Sequence, residues 1–120
     1  MHKILIINDS RLIRMKLKKY LTGRYNVVEA ENGRDGQIKV KLENPDCILT
    51  DLLMPVMDGF ELLGWLSNSD IETPAIVLTA DIQDETAQRC KELGAFKVLN
   101  KPPNSDDLYS ALDSALALQD

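Results

Sequence analysis

Short apolar runs alternate with segments of helical spacing along the whole chain. The apolar runs are rich in β-branched residues and bounded by turn-forming residues, and they cover residues 3–7, 26–29, 47–50, 75–79 and 97–99. Most of them are continuously apolar, which is typical of parallel strands that are covered on both faces. The pattern therefore predicts five buried strands of one parallel sheet.

The segments between the strands place apolar residues three or four positions apart, the spacing of an amphipathic helix. In chain order these positions are Ile13, Leu17, Tyr20 and Leu21; Ile38 and Leu42; Phe60, Leu63 and Leu66; Ala87, Cys90 and Leu93; and Leu108, Ala111, Leu112 and Ala115. Strands that alternate with helices imply parallel strands joined by right-handed crossovers. We predict a single α/β sandwich over residues 1–120, with helices on both faces of the sheet and no output domain in this chain.

Charge and composition restrict the classes of partner. The 120 residues include 19 acidic and 14 basic side chains, a formal net charge of -5, whereas binding to a nucleic-acid backbone needs a broad basic surface. Cys47 and Cys90 stand singly, without the neighbours of a zinc site, and are interpreted as buried thiols in a reducing compartment. No apolar run approaches the ~20 residues that span a bilayer. We expect a cytoplasmic protein with no direct nucleic-acid contact and no membrane insertion.

Chemically active side chains collect at the ends of the predicted strands. Asn8 and Asp9 follow the first strand, Asp51 follows the third, Thr79 ends the fourth, and Lys101 follows the fifth. Because ligands of open parallel sheets bind beyond the carboxyl ends of the strands, we expect these side chains to meet at one edge. Taken singly, each has an ordinary structural explanation, such as helix capping or turn formation.

Taken together, these side chains have the chemistry of a phosphoryl-transfer site. Asp9 and Asp51 at the ends of neighbouring strands would repel each other unless a cation lay between them, and carboxylate oxygens are ligands that Mg²⁺ prefers. With a metal in place, the Asp51 carboxylate is a candidate nucleophile toward a phosphoryl group. The Lys101 ammonium and the Thr79 hydroxyl would then stabilise the phosphoryl oxygens in the transition state.

The sequence resembles the receiver domain of bacterial two-component response regulators, a family that includes single-domain chemotaxis regulators. The resemblance depends on the order and spacing of stretches that cover nearly the whole chain, namely "ILIINDSRLIRMKLKKYL", "VVEAENGRDG", "PDCILTDLLMPVMDGFELL", "PAIVLTA" and "GAFKVLNKP". It implies a flavodoxin-like, doubly wound (βα)5 sandwich with a five-stranded parallel sheet in the order 2-1-3-4-5.

The resemblance also implies roles for individual residues. Asp51 would be the phosphoacceptor, receiving a phosphoryl group from a sensor histidine kinase or a phosphotransfer protein. Asp9 would bind Mg²⁺ or Mn²⁺ together with Asp51 and the backbone carbonyl of Leu53, while Thr79 and Lys101 would contact the phosphoryl group. Such a domain catalyses its own phosphorylation and dephosphorylation but is a signalling module rather than an enzyme. Its downstream target would be a protein that the sequence does not identify, and a monomer or weak dimer is expected.

Two residues depart from the pattern of the family. Asn8 stands where the family usually has an acidic residue, and we expect it to hold a metal-bound water, so that Mg²⁺ binding is weaker but present. Val98 stands at the switch position, where the family usually has a Tyr or Phe that swings inward on activation. Since valine has a stiff χ1, we expect little rotamer switching there. The resemblance further implies a cis peptide bond before Pro102.

Basic side chains crowd the first predicted helix of an otherwise acidic protein: Arg11, Arg14, Lys16, Lys18 and Lys19. They form either a solvated helix face or, as in receivers generally, a surface that meets the kinase or phosphotransfer partner. In the second case their charge would raise the rate of association more than the affinity.

The residues leave three alternatives to the receiver interpretation. A constitutive protein-binding pseudo-receiver with weak metal binding and weak switching would account for Asn8 and Val98. A phosphohydrolase of the haloacid dehalogenase type needs a second Asp two residues beyond its nucleophile, where this chain has Leu53. A flavodoxin-like electron carrier needs a phosphate-binding loop after the first strand, where Asp9, together with Asp51, would repel the FMN phosphate.

Overall fold

The computed structural model describes residues 1–81 and 83–118. Within these residues the strands are β1 (Lys3–Ile7), β2 (Asn26–Ala30), β3 (Cys47–Thr50), β4 (Ala75–Thr79) and β5 (Lys97–Asn100), and the helices are α1 (Arg11–Leu21), α2 (Gly33–Glu43), α3 (Gly59–Ser67), α4 (Asp84–Glu92) and α5 (Ser105–Ala117). The strands form one parallel sheet in the order β2-β1-β3-β4-β5, which confirms the predicted doubly wound sandwich. Asp120, the predicted end of the domain, lies outside the described residues.

The sheet separates two hydrophobic clusters, because successive side chains of a strand point to opposite faces. On one face, Ile4 of β1 packs in a cluster with residues of α1 and α5 such as Leu112. On the other face, Leu5 packs with residues of α2, α3 and α4 such as Leu62. β3 and β4 are buried along their whole length, as their continuously apolar sequences predicted.

The predicted strand bounds agree closely with the structure. β2 and β5 each extend one residue beyond the prediction, to Ala30 and Asn100. The turn residues also behave as their chemistry suggests: Gly23 and Gly94 have φ values of 92° and 95°, and Asn44 ends α2 in the left-handed conformation. These are backbone conformations that glycine, and to a lesser degree asparagine, adopts at low cost.

The buried face of α2 differs from the predicted one. Ile38 and Leu42 are 54% and 71% exposed. The helix instead buries its small residues, which are Gly33, Gly36 and Val40. A Cβ atom at Gly36 would lie 2.6 Å from Cδ1 of Ile7, so the helix approaches the sheet too closely for a larger side chain. The helix itself was predicted correctly, but its predicted apolar face is wrong.

Smaller differences occur in α1 and α3. Tyr20 is 39% exposed, whereas Leu21 beside it is fully buried. In α3, Leu62 is fully buried, while Phe60 of the predicted stripe is only half-buried. A period of three to four residues identifies a helix, but it does not say which of two adjacent apolar residues faces the core.

The two cysteines are free and fully buried, Cys47 in the cluster beside α1 and α5 and Cys90 in the cluster on the other face of the sheet. Their burial agrees with the prediction from sequence. None of the helices formed by the described residues combines the length and the apolar character that crossing a bilayer requires.

Candidate functional site

A cleft of about 320 Å³ lies at the carboxyl ends of four strands. Its lining includes most of the residues that the sequence placed after or at the end of β1, β3, β4 and β5, namely Asp9, Asp51, Leu53, Thr79 and Lys101, whereas Asn8 is not part of it. The parallel sheet brings them together because every strand delivers its carboxyl end to the same edge. The expected convergence of these residues therefore occurs.

Asp51 lies at the centre of this group and is only 6% exposed. Its Oδ2 accepts a hydrogen bond of 2.7 Å from Nζ of Lys101, and its Oδ1 accepts one of 2.8 Å from the backbone N–H of Leu52. The backbone N–H of Asp51 donates to the carbonyl of Ile7 at 3.1 Å, which fixes the residue against the end of β1. A buried carboxylate is costly unless it is paired, and the Lys101 ammonium provides the pairing.

Asn8 is buried beside Asp51, with 2% of its surface exposed. Its Nδ2 lies 3.4 Å from Oδ2 of Asp51, so the amide donates to the carboxylate at the long end of the hydrogen-bond range. Its Oδ1 accepts from the backbone N–H of Ser10 at 2.8 Å. Ser10 in turn is the N-cap of α1, and the side chain of Asp9 between them is exposed.

Thr79 is buried, and its hydroxyl accepts a hydrogen bond of 3.1 Å from the backbone N–H of Asp81. Oδ2 of Asp81 accepts a hydrogen bond of 2.7 Å from the Thr86 hydroxyl. Hydrogen bonds from that hydroxyl and from the backbone N–H of Gln83 lower the pKa of the exposed Asp81 carboxyl. The loop after β4 is therefore connected to the start of α4 through Asp81.

The lining also contains Phe60, Asp81 and Thr86, which the sequence interpretation missed. Asp81 follows β4 by two residues, so its proximity to the strand end was a usable signal. Phe60 and Thr86 belong to α3 and α4, and their presence depends on how closely these helices approach the sheet edge. The sequence carries no direct signal for that distance.

Val98, the predicted switch position, lies outside the lining of this cleft. It is half-buried on β5, opposite Val77 of β4, and packs against the cluster shared with α2, α3 and α4. The Lys101–Pro102 peptide bond is cis, as the resemblance implied. The backbone N–H of Lys101 donates to the carbonyl of Thr79 at 3.0 Å, which holds the residue beside the end of β4.

The donor atoms of the cleft fit a hard divalent cation. Asp9 and Asp51 contribute carboxylate oxygens, and Leu53, a residue that is 78% exposed, lines the same cleft. Mg²⁺ takes oxygen ligands, keeps several waters and needs only one or two carboxylates from the protein. In the part of the chain that the structure describes, no group of three or more His, Cys, Asp or Glu side chains is arranged to hold a metal ion.

Comparison with known proteins identifies relatives along nearly the whole chain. Residues 4–113 match the response regulator receiver domain family. The chain is 35% identical over 121 residues to Protein PilH of Pseudomonas aeruginosa, with 98% of this chain and 99% of PilH covered. It is 32% identical over 117 residues to chemotaxis protein CheY of Bacillus subtilis, with 96% and 98% covered. By contrast, it spans only 26% of the length of the transcriptional regulatory protein GlrR of Escherichia coli, to which it is 33% identical.

Solved structures agree with this assignment. The receiver domain of Francisella response regulator 1452 superposes with a TM-score of 0.93 over 100% of both chains at 26% identity. Chemotaxis protein CheY4 of Vibrio cholerae superposes with a TM-score of 0.89, covering 97% of this chain and 99% of that one, at 34% identity. The family match, the strand order and these structures lead to the same conclusion. This chain belongs to the response regulator receiver domain family of two-component systems.

Proposed function

We propose that this chain is a phosphorylatable signalling receiver that accepts a phosphoryl group on Asp51 and acts through protein contacts. The donor is a sensor histidine kinase or a phosphotransfer protein. The observation that carries the proposal is the 2.7 Å ion pair between Asp51 and Lys101, in a cleft that also contains Asp9 and Thr79. Carboxylate, ammonium and hydroxyl are the groups that a phosphoryl transfer to an aspartate requires.

In this mechanism a carboxylate oxygen of Asp51 forms the new bond to phosphorus, and the bond from phosphorus to the donor breaks. The donor atom is the histidine nitrogen of a partner protein or the acyl oxygen of acetyl phosphate, and it leaves with the bonding electrons. Lys101, which already contacts Asp51, donates to an oxygen of the transferred group and balances its charge. The Thr79 hydroxyl accepts from the backbone N–H of Asp81, so its own proton is free to donate to another phosphoryl oxygen.

Asp9, Asp51 and the carbonyl of Leu53 are the groups that would hold Mg²⁺ or Mn²⁺ in this cleft. When bound, the cation supplies Lewis-acid neutralisation of the phosphoryl oxygens. Asn8 contributes no charge to this set, so we propose that metal binding is weaker than with an acidic residue at the same position. Its buried amide instead donates to Asp51.

The experiment that tests the proposal is incubation with acetyl phosphate and Mg²⁺, followed by intact mass measurement. The wild-type protein is expected to gain the mass of one phosphoryl group, and the Asp51→Asn variant is expected to gain none. If the wild-type mass stays unchanged at every Mg²⁺ concentration tried, the constitutive pseudo-receiver becomes the better description.

The donor surface belongs to α1 in this proposal. Arg14 and Lys18 lie 3.2 and 3.7 Å from carboxylate oxygens of Glu29, and of the five basic residues of the helix all except Arg14 are exposed. Exposed charge of one sign raises the rate of encounter with an oppositely charged partner.

Charge reversal of Lys16 and Lys19 tests whether the basic side chains of α1 form a donor-binding surface or only a solvated helix face. The double variant is expected to accept phosphoryl groups more slowly from the protein donor and at an unchanged rate from acetyl phosphate, because only the protein donor touches α1. Equal slowing with both donors would show that the charges act on the site itself and would rule out α1 as the donor surface.

A further inference from the structure

Arg14 connects three segments of the chain beside the candidate site. Its side chain leaves α1 and is only 14% exposed. Nη1 donates a hydrogen bond of 2.6 Å to the backbone carbonyl of Asn8, and Nε donates one of 3.2 Å to Oε1 of Glu29 on β2. The guanidinium therefore links α1, the loop that follows β1, and the edge strand β2.

We infer that Arg14 is a positioning residue of the phosphoryl-transfer site, which holds the Asn8-Asp9 loop where the Asp9 carboxylate shares a cation with Asp51. The inference depends on the function proposed above, because it assigns a role within the same site. The carbonyl that Arg14 binds belongs to the peptide unit joining Asn8 to Asp9. Since a peptide unit is planar, fixing this carbonyl also fixes the direction in which the backbone enters Asp9.

The other contacts of Asn8 show how the loop is held. Its backbone N–H donates to the carbonyl of Ala30 at 3.1 Å, and its side chain contacts Ser10 and Asp51. These contacts tie the loop to β2, to the cap of α1 and to the end of β3. The Arg14 hydrogen bond restrains the Asn8 carbonyl, which lies on the chain immediately before the exposed Asp9 side chain.

An arginine suits this position because its N–H groups point in fixed directions within one plane. Glu29 accepts from one of them and thereby orients the others, while it also compensates the largely buried positive charge of Arg14. Lys18 approaches the second oxygen of Glu29 at 3.7 Å but is half exposed and makes no such bond to the Asn8 carbonyl. Lys18 therefore provides a matched control, with the same charge and the same acceptor residue.

Removing Arg14 would change the Mg²⁺ affinity in opposite directions, depending on whether the arginine positions Asp9 or acts only through its charge. The positive charge of Arg14 lies near a cation site and repels Mg²⁺, so removing it would strengthen metal binding if charge alone mattered. If Arg14 positions Asp9, removing it weakens metal binding. Mutation of a residue that orients a metal ligand through a hydrogen bond typically lowers metal affinity by about 10- to 100-fold.

The first measurement is Mg²⁺ binding by isothermal titration calorimetry to the wild-type protein and four variants. Arg14→Gln is expected to lower the affinity about tenfold, Glu29→Gln to lower it by a smaller factor, and Arg14→Lys to lie between wild type and Arg14→Gln. Lys18→Gln is expected to match the wild type or to bind slightly more tightly.

The second measurement needs no metal. In the metal-free protein, amide hydrogen exchange at residues 8–10 is expected to be faster in Arg14→Gln than in the wild type, while exchange in β3 and β4 stays the same. Unchanged exchange in these central strands shows that the variant is folded, because their amides open only with the whole domain. If Arg14→Gln does not fold, amide exchange at residues 8–10 is compared between the wild type and Glu29→Gln. That variant keeps the arginine but weakens the contact that orients it.

The outcomes distinguish the two levels of the proposal. Mg²⁺ affinity in Arg14→Gln that equals or exceeds the wild-type value overturns the positioning role and leaves the proposed function standing. Exchange at residues 8–10 that matches the wild type also overturns it. A wild-type protein that binds no Mg²⁺ at millimolar concentration overturns the metal-dependent function and the positioning role together.

Discussion

At the scale of single residues, Asn8 changes the electrostatics around the candidate phosphoacceptor. Oδ2 of Asp51 accepts a hydrogen bond of 2.7 Å from the Lys101 ammonium and one of 3.4 Å from the Asn8 amide. A carboxylate at position 8 would repel Asp51 where the amide now donates to it. Protein donors therefore satisfy this oxygen of Asp51, and we expect a cation to stabilise the site less than it would with one more carboxylate.

Replacing Asn8 by Asp tests this interpretation. Asn8→Asp is expected to raise Mg²⁺ affinity about tenfold, which corresponds to ~1.4 kcal/mol. Without metal the same variant is expected to lose about 1 kcal/mol of unfolding free energy, because a buried carboxylate repels Asp51. Isothermal titration and urea unfolding measure the two effects, and Asn8→Ala, which removes the amide without adding charge, is the control. Equal Mg²⁺ affinities for the two variants would contradict the electrostatic account.

Val56 is a second residue whose local chemistry conflicts with its position. Its φ is 70°, and the backbone N–H of Met57 donates to the carbonyl of Pro55 at 2.8 Å across it, closing a tight turn in the loop between β3 and α3. A β-branched residue at positive φ is strained by roughly 1–2 kcal/mol. The side chain is 75% exposed, so no burial compensates that strain.

Relief of this strain is expected to stabilise the domain. Val56→Asn is expected to raise the free energy of unfolding by about 1 kcal/mol, since asparagine tolerates a positive φ better than a β-branched residue. Leu53→Asn is the matched control, because Leu53 is 78% exposed in the same loop and is not among the non-glycine residues with positive φ. Urea unfolding should show an increase for the first variant and a change within about 0.5 kcal/mol for the second. The same change in both would exclude strain at Val56.

At the scale of secondary structure elements, the sequence was informative where burial is complete and misleading where small residues allow close contact. The bounds of β1, β3 and β4 were predicted to the residue because both faces of these strands are buried. In α2, however, Ile38 and Leu42 are exposed, whereas Gly36 is buried against Ile7 of β1. Hydrophobic spacing cannot reveal this arrangement, because the distance between a helix and a sheet is set by the smallest residues between them.

The two glycines of α3 test the same principle. A Cβ atom at Gly59 would lie 2.8 Å from Cα of Leu52 and closer still to the carbonyl oxygen of Asp51, whereas one at Gly64 would meet nothing within 4 Å. Gly59→Ala is therefore expected to lower the free energy of unfolding by about 1–3 kcal/mol, since backbone atoms must move apart. Gly64→Ala is expected to raise it by about 1 kcal/mol through helix propensity. Urea unfolding measures the free energy of unfolding of both variants. Changes of the same sign would contradict the packing explanation.

At the scale of the whole molecule, the sheet topology explains why so much of the site was predictable. Asp9, Asp51, Thr79 and Lys101 are distant in sequence, but each follows or ends a strand, and parallel strands deliver them to one edge. The contact between Arg14 and the Asn8 carbonyl was not predictable, because it depends on how a helix lies across a loop. The cis bond before Pro102 followed only from resemblance, since most such bonds are trans.

Burial of a thiol links the stability of the whole domain to alkaline pH. Cys47 is fully buried, and this burial raises the pKa of its thiol from an ordinary 9.0 to about 12. Well below pH 9.0 the thiol is protonated in both the folded and the unfolded chain, so it contributes no pH dependence there. Between pH 9.0 and about 12 the unfolded chain ionises while the folded chain does not, and stability falls as pH rises.

We therefore expect Cys47 to lower the free energy of unfolding by up to ~1.4 kcal/mol for each pH unit in this window. Urea unfolding at several pH values above 9.0 measures the total slope. Tyr25 also contributes to this slope, because burial raises the pKa of its hydroxyl. In Cys47→Ala the packing defect is the same at every pH, so the difference between the two slopes isolates the ionisation of this thiol. Parallel slopes in the wild type and the variant would mean that the Cys47 thiol is reached by solvent before the molecule unfolds.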